Sequence, residues 1–146
     1  MAVKLRTVKN MSIVIKGRPI SKGYAEGEAL VCHQPIGFNF GVDLTDGRIL
    51  EHGHELLNKS IKDKILIFPH GKGSTGGSYV VYQLAKCKSG PKAMINLTTE
   101  TIIAVGAIMG GIPVVDSLEQ NPLEVIKTGD YVKVDAVNGT VEVESK

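Results

Sequence analysis

The middle of the chain alternates strand and helix, and that order constrains the fold more than any other feature. "KILIF", Lys64 to Phe68, is a short and wholly apolar strand, and the glycine-rich segment "GKGSTGGS", Gly71 to Ser78, follows it. "SYVVYQLAKC" is apolar nearly all round, which suits a buried helix. "KAMINL" is the next strand. "TETIIAVGAIMG" opens with threonines and Glu100, which can cap a helix, and runs to Gly110-Gly111, which can end one. "IPVV" completes a β-loop-α-β-α-β unit, whose parallel crossovers are right-handed and need helix cover on the sheet.

Strand-rich ends flank this unit. "SIVIKGRPI" and "GEALVCH" read as strands separated by turn signals at Gly23 and Gly27. "GFNFGVDLTDGRIL" is turn-rich, with a turn at Asp46-Gly47. "GDYVKVDAVNGTVEVE" alternates apolar and polar residues around Asn138-Gly139, a hairpin signal. The expected fold class is α/β, with helices against one sheet and an extra layer of short strands. A chain of 146 residues fits one domain that needs no disulfide or metal to hold a core. Residues 1–16 are expected to form a tail and first strand and 17–146 the domain. Residues 1–10 read as a frayed tail, and Met11 is an alternative start.

Charge excludes some functions. Lysines and arginines number 17 against 15 acidic residues, and no basic run reaches four. Nucleic-acid and membrane-surface binding therefore have little support. "IIAVGAIMGGIPVV" is too short to span a bilayer and is broken by Gly and Pro. The two cysteines, Cys32 and Cys87, have no CxxC spacing, are expected to be buried, and point to a cytoplasmic protein.

Three motif readings compete for Gly71–Ser78. Gly71 and Gly76 have the spacing of a Walker A loop, but Gly77 stands where the lysine is required. Neither Ser74 nor Ser78 sits in G-x-S-x-G, so a hydrolase nucleophile elbow fails. Gly71, Gly73 and Gly76 match G-x-G-x-x-G, with Glu100 near the position of a ribose-binding acid. Beyond motifs, a loop leading into a helix offers free N–H groups and a positive dipole end, which suit an anion. Ser74 is the residue a substrate can approach most closely; alternatively, Ser74 or Thr75 simply caps the helix.

Other polar residues carry weaker claims. Arg18, Ser21, Lys22 and Glu26 border the cleft or form a solvated hairpin. Asp43 and Asp46 suit a turn. His52 and His54 form H-x-H without a nearby third ligand. Asp116 follows the "IPVV" strand as a helix cap or a site residue.

Two resemblances add to this. "MGGIPVVDSLEQNPLEVIKTGDYVKVDAVNGTVEVE" resembles the phosphohistidine swivelling domain of phosphoenolpyruvate-utilising enzymes. The position of that family's histidine falls on Ile102, so the resemblance implies the fold and not phosphoryl transfer. "KGRPISKGYAEGEALV", "GFNFGVDLTDGRI", "KILIFPHGKGSTGGSYVVYQL", "GAIMGGIPVVD" and "TGDYVKVD" together resemble the aconitase X swivel domain, over roughly Gly17 to Glu144.

The second resemblance implies a single swivelling β/β/α domain in the small subunit of an iron–sulfur hydro-lyase. The 4Fe-4S cluster would be held by a large partner subunit and not by this chain. The expected substrate is a small phosphorylated hydroxy acid, (R)-5-phosphomevalonate, dehydrated to trans-anhydromevalonate 5-phosphate in the archaeal modified mevalonate route to isoprenoids. The serine of the family's P-x-G-K-G-S, the proton acceptor, falls on Ser74; Thr75 and Gly76 follow where the pattern often has further serines. Lys72, Gly73 and Thr75 are the expected substrate or anion contacts. The alternatives are an aconitase X type dehydratase of another hydroxy acid, or an anion- or nucleotide-binding module without catalysis.

Overall fold

The computed structural model describes residues 12–145; the expectations for residues 1–10 and for Met11 lie outside the described residues. In chain order the elements are β1 (Ser12–Lys16), β2 (Arg18–Ser21), β3 (Tyr24–Val31), β4 (Ile36–Gly37), β5 (Ile65–Phe68) and β6 (Gly71–Lys72). There follow α1 (Gly76–Lys86), β7 (Ala93–Asn96), α2 (Thr101–Gly110), β8 (Val114–Asp116), α3 (Pro122–Val125), β9 (Tyr131–Asp135) and β10 (Thr140–Glu144). The central β-α-β-α-β unit is present as the sequence predicts.

The strands run β1-β10-β9-β3-β5-β7-β8-β2 in one sheet, with β3, β5, β7 and β8 parallel and the other pairs antiparallel. The first half of β3 pairs with β9 and its second half with β5. The "extra layer" of short strands is therefore the continuation of the same sheet.

β1 and β2 occupy opposite ends of that sheet, yet only Gly17 separates them. The sheet must curl until its two ends share one bent strand, which closes a barrel. Gly17 makes the corner: its N–H donates to the Gly139 carbonyl at 2.7 Å. A Cβ at this position would run into the Leu118 side chain and the Asp116 carbonyl.

Closure creates two cores from one set of strands. Ile65, Ile67, Ala93, Ile95 and Val115 point into the barrel with Ile15, Val132, Val134, Val141 and Val143. Leu66, Phe68, Met94 and Val114 point the other way, under Val81 and Leu84 of α1 and Ile103 and Ala107 of α2. Burial on both faces is why "ILIF" and "AMIN" are apolar almost throughout rather than alternating.

The helix ends follow local chemistry. The Glu100 carboxylate accepts from the Ile102 and Ile103 amides at the start of α2, and Gly111 closes it at φ 73°. Gly139, at φ 77°, turns the predicted β9–β10 hairpin. The parallel strands all end on one edge, where both long helices begin. In open α/β sheets this is the edge that receives ligands.

Candidate active site

Ser74 lies on that edge, between the C-terminal end of β5 and the first turn of α1. The glycine segment is not all loop, because Gly71 and Lys72 form β6 and pair in parallel with Ile36 and Gly37. This short ladder fixes the root of the segment. Gly73 then adopts φ 97°, with open space beyond it, and presents Ser74 and Thr75 to solvent.

Neither residue caps α1 through its side chain. Thr75 occupies the N-cap position with helical backbone angles and no side-chain cap bond. The Ser74 hydroxyl instead accepts a 2.6 Å hydrogen bond from Nδ2 of Asn39. Its backbone carbonyl accepts from the Gly77 amide, 3.0 Å away. The Ser74 hydroxyl is thus exposed and held by a donor from a different part of the chain.

Asn39 is placed with some force. It follows Phe38, which is buried and packs on Phe68 with ring centroids 6.0 Å apart. It precedes Phe40, which sits at φ 65° and is 91% exposed. A bulky residue in that conformation costs roughly 1–2 kcal/mol, so the turn is held against strain. The turn closes through the Gly41 amide onto the Phe38 carbonyl. Gly76 gives Asn39 its room, since a Cβ there would press on the Asn39 amide. The sequence showed only a turn here, and no local signal distinguishes Asn39 from other turn asparagines.

A shallow cavity of about 300 Å³ opens beside the serine, lined by Gly37, Asn39, Phe40, Gly41, Glu51, Lys72 and Gly73. Lys72 reaches across it to Glu51, Nζ to Oε2, at 2.8 Å. A larger cavity of about 400 Å³ lies elsewhere, lined by His33, Glu55, Lys127 and Thr128 among others, and includes none of the residues around Ser74.

The same edge carries a second polar cluster. Asp116 is fully buried and receives both Nε and Nη2 of Arg18 at 3.0 Å. The Thr99 amide donates to the same carboxylate at 2.6 Å, and Thr99 Oγ1 donates to Asn96, whose own amide donates to the Phe68 carbonyl. Burial pushes the Asp116 carboxyl up, but the hydrogen bonds from Arg18 and Thr99 outweigh it and hold it below the usual range. Asp116 is therefore not a helix cap; Asn121 caps α3.

Glu26, Asp43, Asp46, Glu100 and His54 have structural partners. Glu26 accepts from the hydroxyls of Tyr24 and Tyr131 on the barrel surface, and Ser21 is buried. Asp43 and Asp46 bond to Thr45 and Arg48 within their turn, as turn chemistry predicts. Glu100 is engaged as a cap, which removes the acid that a dinucleotide reading needs. His54 is buried; Nδ1 accepts from the Leu56 amide, so Nε2 carries the proton toward the Pro35 carbonyl. Both ring nitrogens of His54 thus have backbone partners.

The cysteines divide. Cys32 is buried, with its thiol pushed up to about 12, first by desolvation. Cys87, expected to be buried, is exposed because it follows the last turn of α1. The helix places it about 16 Å from the Ser74 end at 1.5 Å per residue. Among the described residues no three His, Cys, Asp or Glu side chains converge as a metal site. This donor set does not fit an iron–sulfur cluster, which needs several thiolates.

Comparison with known proteins gives the family of this fold. Residues 14–143 match the family described as the aconitase X swivel domain. The chain belongs to that family. Among its relatives is a Methanosarcina mazei protein named phosphomevalonate dehydratase small subunit, 54% identical over 131 residues, or 90% of this chain and 91% of the relative. A protein of the same name from Methanocella arvoryzae is 55% identical, covering 88% of this chain and 98% of its own. The crystal structure of Thermococcus kodakaraensis aconitase X, holo-form, superposes with a TM-score of 0.85 at 46% identity, over 90% of this chain and 98% of that one. A 3-isopropylmalate dehydratase from Methanocaldococcus jannaschii shares the fold at a TM-score of 0.58 and 20% identity, over 85% and 83% of the two chains. Among the described residues of this family member, no helix is long and apolar enough to cross a membrane.

Proposed function

We propose that the chain is the small subunit of a cytoplasmic hydro-lyase that converts (R)-5-phosphomevalonate to trans-anhydromevalonate 5-phosphate in the archaeal modified mevalonate route. Its partner in a heterodimer is a large subunit that holds a 4Fe-4S cluster. The observation that carries this reading is the exposed Ser74 hydroxyl, which lies just before a helix and accepts a hydrogen bond from the Asn39 side-chain amide. The names borne by relatives about half identical over nine tenths of the chain support the substrate. The absence of a fitting donor set among the described residues agrees with a cluster carried by the partner.

In this reading Ser74 acts as the base, as an alkoxide. Its Oγ takes a proton from C2 of the substrate, the C–H pair becomes the C2=C3 bond, and the C3–O bond breaks. The proton on Ser74 and the departing hydroxide together account for the water removed. A serine is a poor base in water, so its anion must be stabilised where it forms. The helix dipole and the Asn39 amide both act in that direction. Gly73 and Thr75 offer backbone and hydroxyl contacts. Lys72, released from Glu51, supplies a cation for the substrate phosphate.

The test is reconstitution. The chain is mixed without oxygen with its cluster-bearing large subunit, and phosphomevalonate turnover is followed by phosphorus NMR. Turnover is expected from the mixture and from neither subunit alone. Failure on phosphomevalonate, with dehydration of another hydroxy acid, would overturn the substrate.

A further inference from the structure

We propose that Asn39 is the positioning residue of this site: its amide, aimed at Ser74 Oγ, makes the serine able to hold negative charge and act as a base. The inference rests on the reading of Ser74 as the base, and adds to it the group that makes the role attainable.

Three observations carry it. First, the 2.6 Å bond from Nδ2 is the Ser74 side chain's one hydrogen bond among the described residues. It comes from a group that cannot remove a proton, so its effect on Oγ is to favour the anion. Second, the surroundings preserve this contact. Phe38 anchors the turn in the core, Phe40 is held at φ 65°, and the site of Gly76 cannot take a Cβ without displacing the Asn39 amide. A strained aromatic left 91% exposed adds little burial of its own. What its backbone secures is the direction of its neighbour. Third, nothing else among the described side chains offers Ser74 a proton acceptor or a competing donor. Lys72 turns to Glu51, and His70 donates through Nδ1 to the Gly71 carbonyl at 2.7 Å.

The polarity of the contact is therefore the testable quantity. Asn39→Asp keeps the size and shape of the side chain but replaces the donor with an anionic acceptor. In the reconstituted two-subunit enzyme this change is expected to lower kcat by about 10²–10³, with KM changed by less than about threefold. The rising limb of the pH–kcat profile is expected to move to higher pH, and the melting temperature to stay near that of the unchanged protein. Asn39→Ala removes the donor without adding charge and is expected to show a smaller loss with the same shift in profile.

Ser74→Ala is measured beside them to separate the two readings. An active Ser74→Ala enzyme overturns the role of the serine and this inference with it. An inactive Ser74→Ala enzyme, with Asn39→Asp within about threefold of the unchanged kcat, overturns the inference alone. A loss that disappears at saturating large subunit also overturns it, because Asn39 would then serve assembly.

Discussion

Asp116 and Ser74 stand at the same edge of the sheet and are built in opposite ways. Asp116 is buried and bonded by Arg18 and Thr99, and every buried side-chain nitrogen and oxygen among the described residues has a partner. Ser74 is exposed, framed by glycines, and touched by one amide. A buried carboxylate with all its donors supplied holds elements together and has little capacity left for a ligand. A hydroxyl with one polarising donor and an open side can meet a substrate. On the proposed function, the first cluster is structural and the second is where the substrate is met.

Four measurements press on that division, the largest effect first. Ser74→Ala in the reconstituted enzyme is expected to lower kcat by about 10²–10⁴ while the melting curve stays put. An effect on melting and not on rate would invert the comparison. Lys72→Ala is expected to raise KM for a phosphorylated substrate about tenfold, as loss of one charge-assisted contact does. Asp116→Ala leaves the Thr99 amide without its acceptor and frees Arg18, for an expected loss of about 1–3 kcal/mol in denaturant unfolding.

The smallest effect depends on pH. The Asp116 carboxyl titrates below its ordinary range in the folded chain, so its stabilisation is present above about pH 4, where an unfolded aspartate ionises. It is lost as pH falls through the depressed folded value. The stability gap between the unchanged protein and Asp116→Asn is therefore expected to be full at pH 7 and to narrow in acid. A gap that widens as pH falls would mean that Arg18 and Thr99 do not favour the charged form.

Local signals made part of this legible and distant ones did not. The apolar runs, the capping Glu100, the stop at Gly111 and the Asn138-Gly139 hairpin all act within a few residues, and their elements form where the sequence predicts. The bend at Gly17 could not be read in the same way. "SIVIKGRPI" looks like one strand, and what divides it is pairing with β10 on one side and β8 on the other. In the site, the exposed helix entrance and Ser74 were visible in the glycine spacing and the family pattern. Asn39 was not, because its partner lies 35 residues away and its own surroundings spell only a turn. Cys87 misled for a related reason: cysteine is usually buried, but the helix ends one residue before it.

The join at Gly17 also bears on how the chain is made. β1, the first described strand to leave the ribosome, must pair with β10, the last. Loop closure over that separation is slow and cannot begin until the C-terminal hairpin has emerged. Until then the barrel interior has an open seam, with the edges of β1 and β9 both unpaired and able to recruit another chain. Completion of this domain is thus a single late event in its synthesis, and a chain cut before Thr140 would lack Val141 and Val143 from the barrel core and the strand that joins β1 to β9.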